Sequence, residues 1–208
     1  IIFSITSYFK NRRQYKQNIA DRIENYRLYL AKKSMEFMKL QKEQRQGQLY
    51  HYPSVTALDQ LSQEYNHRIY EKTPLHFDFL HYRLGLGTVP TSYHISYDQK
   101  ERSKKTDSLE QEGYRLYSRH KKIQDMPIVA NLAHGPVGYI GPRSLVIEQL
   151  QLLINQIAFF HSYHDVQFIT IVPEEEKEEW DWMRWFPHAS LQNLNVRGLI
   201  YNQRTRDQ

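Results

Sequence analysis

No proline and no glycine interrupts the first 46 residues of this 208-residue chain, and that run leaves its N-terminal end little choice but helix. Apolar residues recur there at Ile19, Ile23, Tyr26, Leu30, Phe37 and Leu40, close to the helical period. Straight-chain Lys, Arg, Gln and Glu fill the positions between. One long amphipathic helix is expected over about 8–45, ending near Gly47, with Pro53 forbidding its continuation.

Charge divides along the same line. Residues 1–50 hold eleven Lys/Arg against four acids, a net +7, and the remainder nets −2. The pI of 9.2 therefore belongs to the helix alone, and a nucleic-acid argument covers only that segment. The chain opens on IIFSI rather than on Met, which reads as a piece cut from a longer protein. Lys10, Arg12, Arg13 and Lys16 follow directly. That order suits the cytoplasmic exit of a membrane helix lying upstream, with the four cations near anionic headgroups. For the helix itself the preferred reading is a solvated stalk whose Ile/Leu/Phe stripe packs on neighbours, with headgroup contact as a secondary role. The charges ring the helix without a focused face, which disfavours nucleic acid as a partner. No run reaches the about eighteen apolar residues of a bilayer span. Without cysteine, disulfides, thiolate metal sites and cysteine nucleophiles are excluded.

A second helix is expected from Ser54 or Thr56 through Leu58, Leu61, Tyr65 and Ile69, stopping before Pro74. The β-rich run 75–97 carries Gly85, Gly87 and Pro90 and reads as strand, turn and strand. Residues 98–113 read as a polar loop. A short helix over 113–122 then leads to a strand at Ile128–Leu132 and, after Gly135-Pro136, a second at Val137–Ile140. Gly141-Pro142 opens a strongly apolar helix. Val166–Val172 is a β-branched run of the buried parallel type. Acidic residues after Pro173 start a helix that enters the WDWMRWFPH stretch, and Val196–Tyr201 is a last strand. Alternation of strand and helix argues an α/β fold: a Rossmann-like, P-loop-ATPase-like, mostly parallel sheet preceded by the helical stalk. The division expected is 1–52 for the membrane-helix end and stalk, and 53–208 for the α/β domain.

A strand passing through glycine into a buried helix is where nucleotide-binding folds place their phosphate loop. Gly141, Pro142, Arg143 and Ser144 are therefore the candidate nucleotide-binding residues. A working loop needs Gly-Lys-Ser/Thr further on. Counting from Gly141, those positions hold Val146, Ile147 and Glu148. The strand Phe168–Val172 runs into Pro173 with no acid at its end to hold Mg²⁺. No catalytic residue can be named, and the free amides near Arg143 retain at most weak affinity for Mg-ATP.

Five short motifs stand in order: Asp78-Phe79-Leu80 with Arg83-Leu84-Gly85-Leu86-Gly87, Asp125-Met126-Pro127, Gly138-Tyr139-Ile140-Gly141-Pro142-Arg143, and Trp180 through His188. Together, over about 70–201, they resemble the region after the transmembrane helices in the FtsK/SpoIIIE-type ATPases of type VII secretion, the EssC/EccC family. The resemblance implies two membrane helices upstream, this domain beneath them with degenerate nucleotide motifs, and further ATPase domains in tandem that use Mg-ATP themselves. It also implies a place on the cytoplasmic side of a bacterial plasma membrane. The implied partners are the downstream ATPase domains, other secretion membrane subunits and further copies of the protein.

Other groups admit plainer readings. His161, His164 and Asp165 have the chemistry of metal ligands, but histidines at a helix end more often cap it, and no metal is expected. His76 and His81 lack a third ligand. Trp180, Trp182, Trp185 and Phe186 form either a docking surface or the closure of a local core. The function expected is a non-catalytic coupling module. The alternatives are a divergent ATPase that uses Arg143 in place of the loop lysine, and a DNA-translocase-like module.

Overall fold

The computed structural model describes residues 2–97, 108–191 and 196–207; the first ten residues of the expected 98–113 loop and the side chains of residues 1–6 lie outside the description. The chain is α/β and divides into two compact units, residues 1–48 with 86–126, and residues 49–85 with 127–208.

The first unit is built along helix α1, Ile2–His51, which passes through Gly47 rather than ending there. It stops two residues short of Pro53, as the missing proline donor requires. Its packed positions step by three and four: Ile23, Tyr26, Leu30, Ser34, Phe37, then Gln41, Gln44 and Gln48. Phe37 stacks on Tyr93 at 5.7 Å, and Arg27 grips both carboxylate oxygens of Glu112 at 2.8 and 3.1 Å. Glu112 belongs to helix α3, Ser108–His120, which begins inside the expected loop. Beyond Phe37 the stripe turns from apolar to amide. Gln41 donates to the His120 carbonyl at 3.2 Å, and Gln44 donates to Pro90 O and accepts from Ser92 N. Arg45 donates to the carbonyls of Gln124 and Asp125. No helix among the described residues is long and apolar enough to cross a membrane.

Strand β1, His81–Pro90, runs straight through Gly85 and Gly87, so these glycines make no turn. Its partner is β2, Lys122–Asn131, which continues through Pro127 because a two-stranded sheet leaves an open edge where no donor is needed. The second strand expected in the run 75–97 is absent: beyond Pro90, residues 91–97 form no strand.

In the second unit, Ser54 caps helix α2, Val55–Gln63, by accepting from Ala57 N at 3.2 Å. The helix ends there instead of reaching Ile69, and the chain turns through Tyr65 at φ +49° and Tyr70 at φ +63°. Val137–Ile140 forms no strand, leaving Ile140 fully exposed. Helix α4, Arg143–Phe160, is the centre of the unit. Ile147, Leu150 and Ile154 pack toward a core of Trp180, Met183 and Leu199, while Phe159 and Phe160 join Leu58 of α2 in another. Of the expected strand 166–172 only β3, Thr170–Ile171, pairs, and its parallel partner is β6, Leu199–Ile200. Between them lie α5, Lys177–Trp180, three 3₁₀ segments at 174–176, 181–185 and 187–189, and β4, Ser190–Leu191, antiparallel to β5, Val196–Arg197. A short helix α6, Gln203–Arg206, closes the described chain. The final strand is broken at Gly198, where any Cβ would collide with the Phe168 carbonyl. The described strands thus form three two-stranded sheets, one of them parallel, in place of the expected mostly parallel sheet.

Candidate functional site

The start of α4 gathers the four residues expected to meet a nucleotide. Asn131 caps a 3₁₀ turn at 132–134, Gly135 leaves it at φ +138°, and an irregular stretch carries the chain to Gly141. Tyr139 steadies this stretch by donating to Tyr82 Oη at 2.9 Å; burial, then the neighbouring phenol, push its own ionisation well up. Pro142 occupies the N-cap without a side-chain hydrogen bond, and its carbonyl accepts from Val146 N at 3.1 Å. Arg143 and Ser144 stand in the first turn, over a shallow depression that also meets Ile147, Gln151 and Glu179.

The electrostatics there oppose a polyphosphate. Arg143 Nη2 lies 2.5 Å from Glu176 Oε2 and 3.6 Å from Glu179 Oε2. The hydrogen bond to Glu176 and its charge push the guanidinium pKa up. One cation faces two carboxylates, so the local balance is negative and the helix-terminal amides sit beside acids rather than an open positive field. Position by position, Val146, Ile147 and Glu148 fill the places of a loop glycine, lysine and hydroxyl, and no lysine lines the depression.

The aromatic segment divides. Trp180 is buried with Met183 and Leu199, so it closes the core. Trp182 stacks on it at 6.1 Å and donates through Nε1 to Glu179 O. Phe186 stands edge-on to Trp182 at 5.5 Å, half-buried. Trp185 alone is a surface residue, 79% exposed. On α1, Lys10, Arg12, Arg13 and Lys16 are all exposed.

His161 is a cap residue and has no ring nitrogen to spare. Its Nδ1–H donates to Ile157 O at 3.0 Å and its Nε2 accepts from Leu80 N at 2.9 Å. Burial lowers its pKa to about 4, so the cap is a neutral hydrogen bond and not the dipole-favoured cation expected. His76 Nδ1 accepts from Thr73 N, and His81 lies edge-on to Tyr52.

A buried ionic cluster had no signal in the sequence. Lys72 and Asp78 are 2% and 3% exposed and pair at 3.0 Å. Lys72 Nζ also donates to His51 O, and His51 Nδ1–H donates to Asp78 Oδ2, both at 3.0 Å. Arg68 donates to Tyr50 O at 2.8 Å, pairs with Glu71, and lies 4.0 Å over the Tyr50 ring. The last carbonyls of α1 are thereby met by two cations, the charge a helix C-terminus favours. Burial pushes the Asp78 pKa up, but the hydrogen bonds and charges of Lys72 and His51 outweigh it and hold the carboxyl below its ordinary range.

No family model matches the chain. Among curated proteins it is 41% identical, over its whole 208 residues, to the type VII secretion system protein EssC of Staphylococcus aureus strain NCTC 8325 / PS 47, and equally to that of strain MRSA252. It is 35% identical over 209 aligned positions to the ESX secretion system protein EccC of Geobacillus thermodenitrificans strain NG80-2. In each case the whole chain aligns and spans 14% of the relative's length.

Proposed function

The chain is homologous over its whole length to a domain of the EssC/EccC proteins of type VII secretion, and on that premise we propose that it is a non-catalytic, membrane-proximal coupling domain of such a secretion ATPase. The observation that carries the reading is the occupation of Arg143 by Glu176 and Glu179 at a helix start that lacks the loop lysine. In this reading the parallel β3–β6 pair with α4 packed on it is what remains of an FtsK/SpoIIIE-like, Rossmann-like nucleotide fold. α1, with residues up to 52, is the stalk, and residues 53–208 are the coupling domain.

The role is mechanical. Movements of ATPase domains further along the same protein shift the interfaces of this domain, and no bond is broken in it. Its partners are those domains, other membrane subunits of the secretion system and further copies of the protein, on the cytoplasmic face of a bacterial plasma membrane. The exposed cations at Lys10, Arg12, Arg13 and Lys16 suit anionic headgroups there. Trp185 and Phe186 are the aromatic anchors offered for interfaces.

The test is calorimetric titration of Mg·ATP into the 208-residue chain, with phosphate release measured on the same sample. Neither heat nor release is expected. Saturable binding without turnover would make the domain a nucleotide sensor, and turnover abolished by Arg143→Ala would overturn the reading in favour of a divergent ATPase.

A further inference from the structure

On the first unit, α1 carries a second stripe that its own unit leaves bare. Glu24, Leu28, Ala31, Met35, Met38 and Lys42 follow one another in alternating steps of four and three, the spacing of a coiled-coil seam. At 3.6 residues per turn this stripe lies about a third of a turn around the helix from the packed stripe through Ile23, Leu30 and Phe37. Leu28, Met35 and Met38 are 62%, 72% and 61% exposed, and Leu28 and Ala31 border a shallow hollow lined by α1 alone. Paired methionines suit such a contact, because their side chains adapt to the surface they meet.

The two ends of the stripe carry opposite charge. Glu24 stands one turn before Leu28, and Lys42 stands one turn after Met38. The ion pairs of α1 among the described residues, Arg27–Glu112, Lys33–Glu36 and Lys39–Glu43, involve neither. A copy of the helix laid parallel sets glutamate against glutamate and lysine against lysine. Laid antiparallel and centred on Lys33, it sets Leu28 against the partner's Met38, Ala31 against the partner's Met35 and Glu24 against the partner's Lys42. Each of these contacts then occurs twice. Apolar meets apolar, the small alanine faces a long methionine, and acid meets base in a single register.

We propose that this stripe is the contact between two copies of the chain, paired antiparallel about a two-fold axis along residues 24–42 of α1. The chain itself supplies the order of charge and apolar side chains that the stripe requires of its occupant. Such a contact uses one patch on both copies and closes at two. The inference rests on the reading above for its setting, since further copies are among the partners proposed there. In that setting two anchored copies meet with α1 lying along the membrane surface and the two-fold axis upright, which brings Lys10, Arg12, Arg13 and Lys16 of both to the headgroups. Confinement there raises the local concentration and strengthens a small contact.

The test is sedimentation velocity of the 208-residue chain over a range of concentrations. A monomer–dimer equilibrium is expected. Met35→Glu, at an exposed position, places a carboxylate in the seam twice and should leave a monomer with unchanged helix content by circular dichroism. Glu24→Lys and Lys42→Glu should each weaken the dimer by about tenfold, since each replaces two attractions with two repulsions. The two together should restore it, an outcome that parallel pairing does not give. A monomer at every concentration up to millimolar would overturn the proposal, as would a dimer indifferent to Met35→Glu, which would belong to another surface. Failure of the double variant to recover would exclude the antiparallel register, and growth beyond two copies would exclude the two-fold contact. The coupling reading fails separately: turnover of Mg·ATP would sink it and leave this contact standing, and a monomer would do the reverse.

Discussion

α4 begins in solvent and ends in the core, and its two ends answer different questions. At the start, Leu145 is 54% exposed and Arg143 spends its charge on two glutamates across the surface. At the finish, Ile157 is completely buried, and the Phe159 and Phe160 carbonyls accept from the backbone amides of Tyr70 and Lys72. The Gln156 amide both accepts from Arg83 N at 2.8 Å and donates to Arg83 O at 3.0 Å, doing for β1 what a neighbouring strand would do. The glycine–proline signal that suggests a phosphate loop therefore marks the end on which least depends. The polar side chains that hold the unit together lie among apolar neighbours at the other end.

Substitutions at the two ends should separate accordingly. Lys72→Met leaves Asp78 buried beside His51 alone and is expected to cost about 3–5 kcal/mol, read as a lower urea midpoint. Adding Asp78→Leu should recover much of that loss, and no recovery would mean that packing over Phe160 matters more than charge. Gln156→Leu strips Arg83 of both partners and should cost about 2–4 kcal/mol; an unchanged midpoint would show that solvent replaces them. The His161 contribution follows pH. An unfolded histidine takes up its proton near pH 6.5, whereas in the fold the pKa is about 4. Stability from its neutral cap is thus complete above pH 6.5 and drains as pH falls toward 4, by up to about 3 kcal/mol. His161→Gln should flatten that slope, and a slope that persists would place the acid sensitivity elsewhere. Smallest of all, Arg143→Ala should leave the melting temperature where it is, since an exposed pair of this kind contributes little; a marked fall would erase the contrast between the ends.

Periodicity made the helices legible. α1 and α4 follow from apolar spacing and from Pro53 and Pro142, and Ser54 announces α2. The strands were harder, because β-rich composition says nothing about a partner. Val137–Ile140 has none, and Val166–Val172 finds one over only two residues. There the returning chain must pass the Phe168 carbonyl, which Gly198 alone permits. Gly85 and Gly87 look like a turn but sit inside a strand. At the start of α4 the absent lysine was readable directly, whereas its glutamate partners, more than thirty residues on, were not. Lys72 and Asp78 meet across an irregular turn against a helix end twenty residues upstream. No spacing rule encodes that meeting.

The amide stripe of α1 has a consequence for how displacement travels along it. An apolar stripe would tolerate a slip of one helical turn, about 5.4 Å, since one hydrocarbon surface resembles the next. Gln41, Gln44 and Arg45 do not, for each is bound to particular carbonyls or amides, and a slip would break every one of those bonds together. This stretch of the helix behaves as a toothed rack. A pull along its axis moves the elements it engages by the same distance, or disengages them all at once.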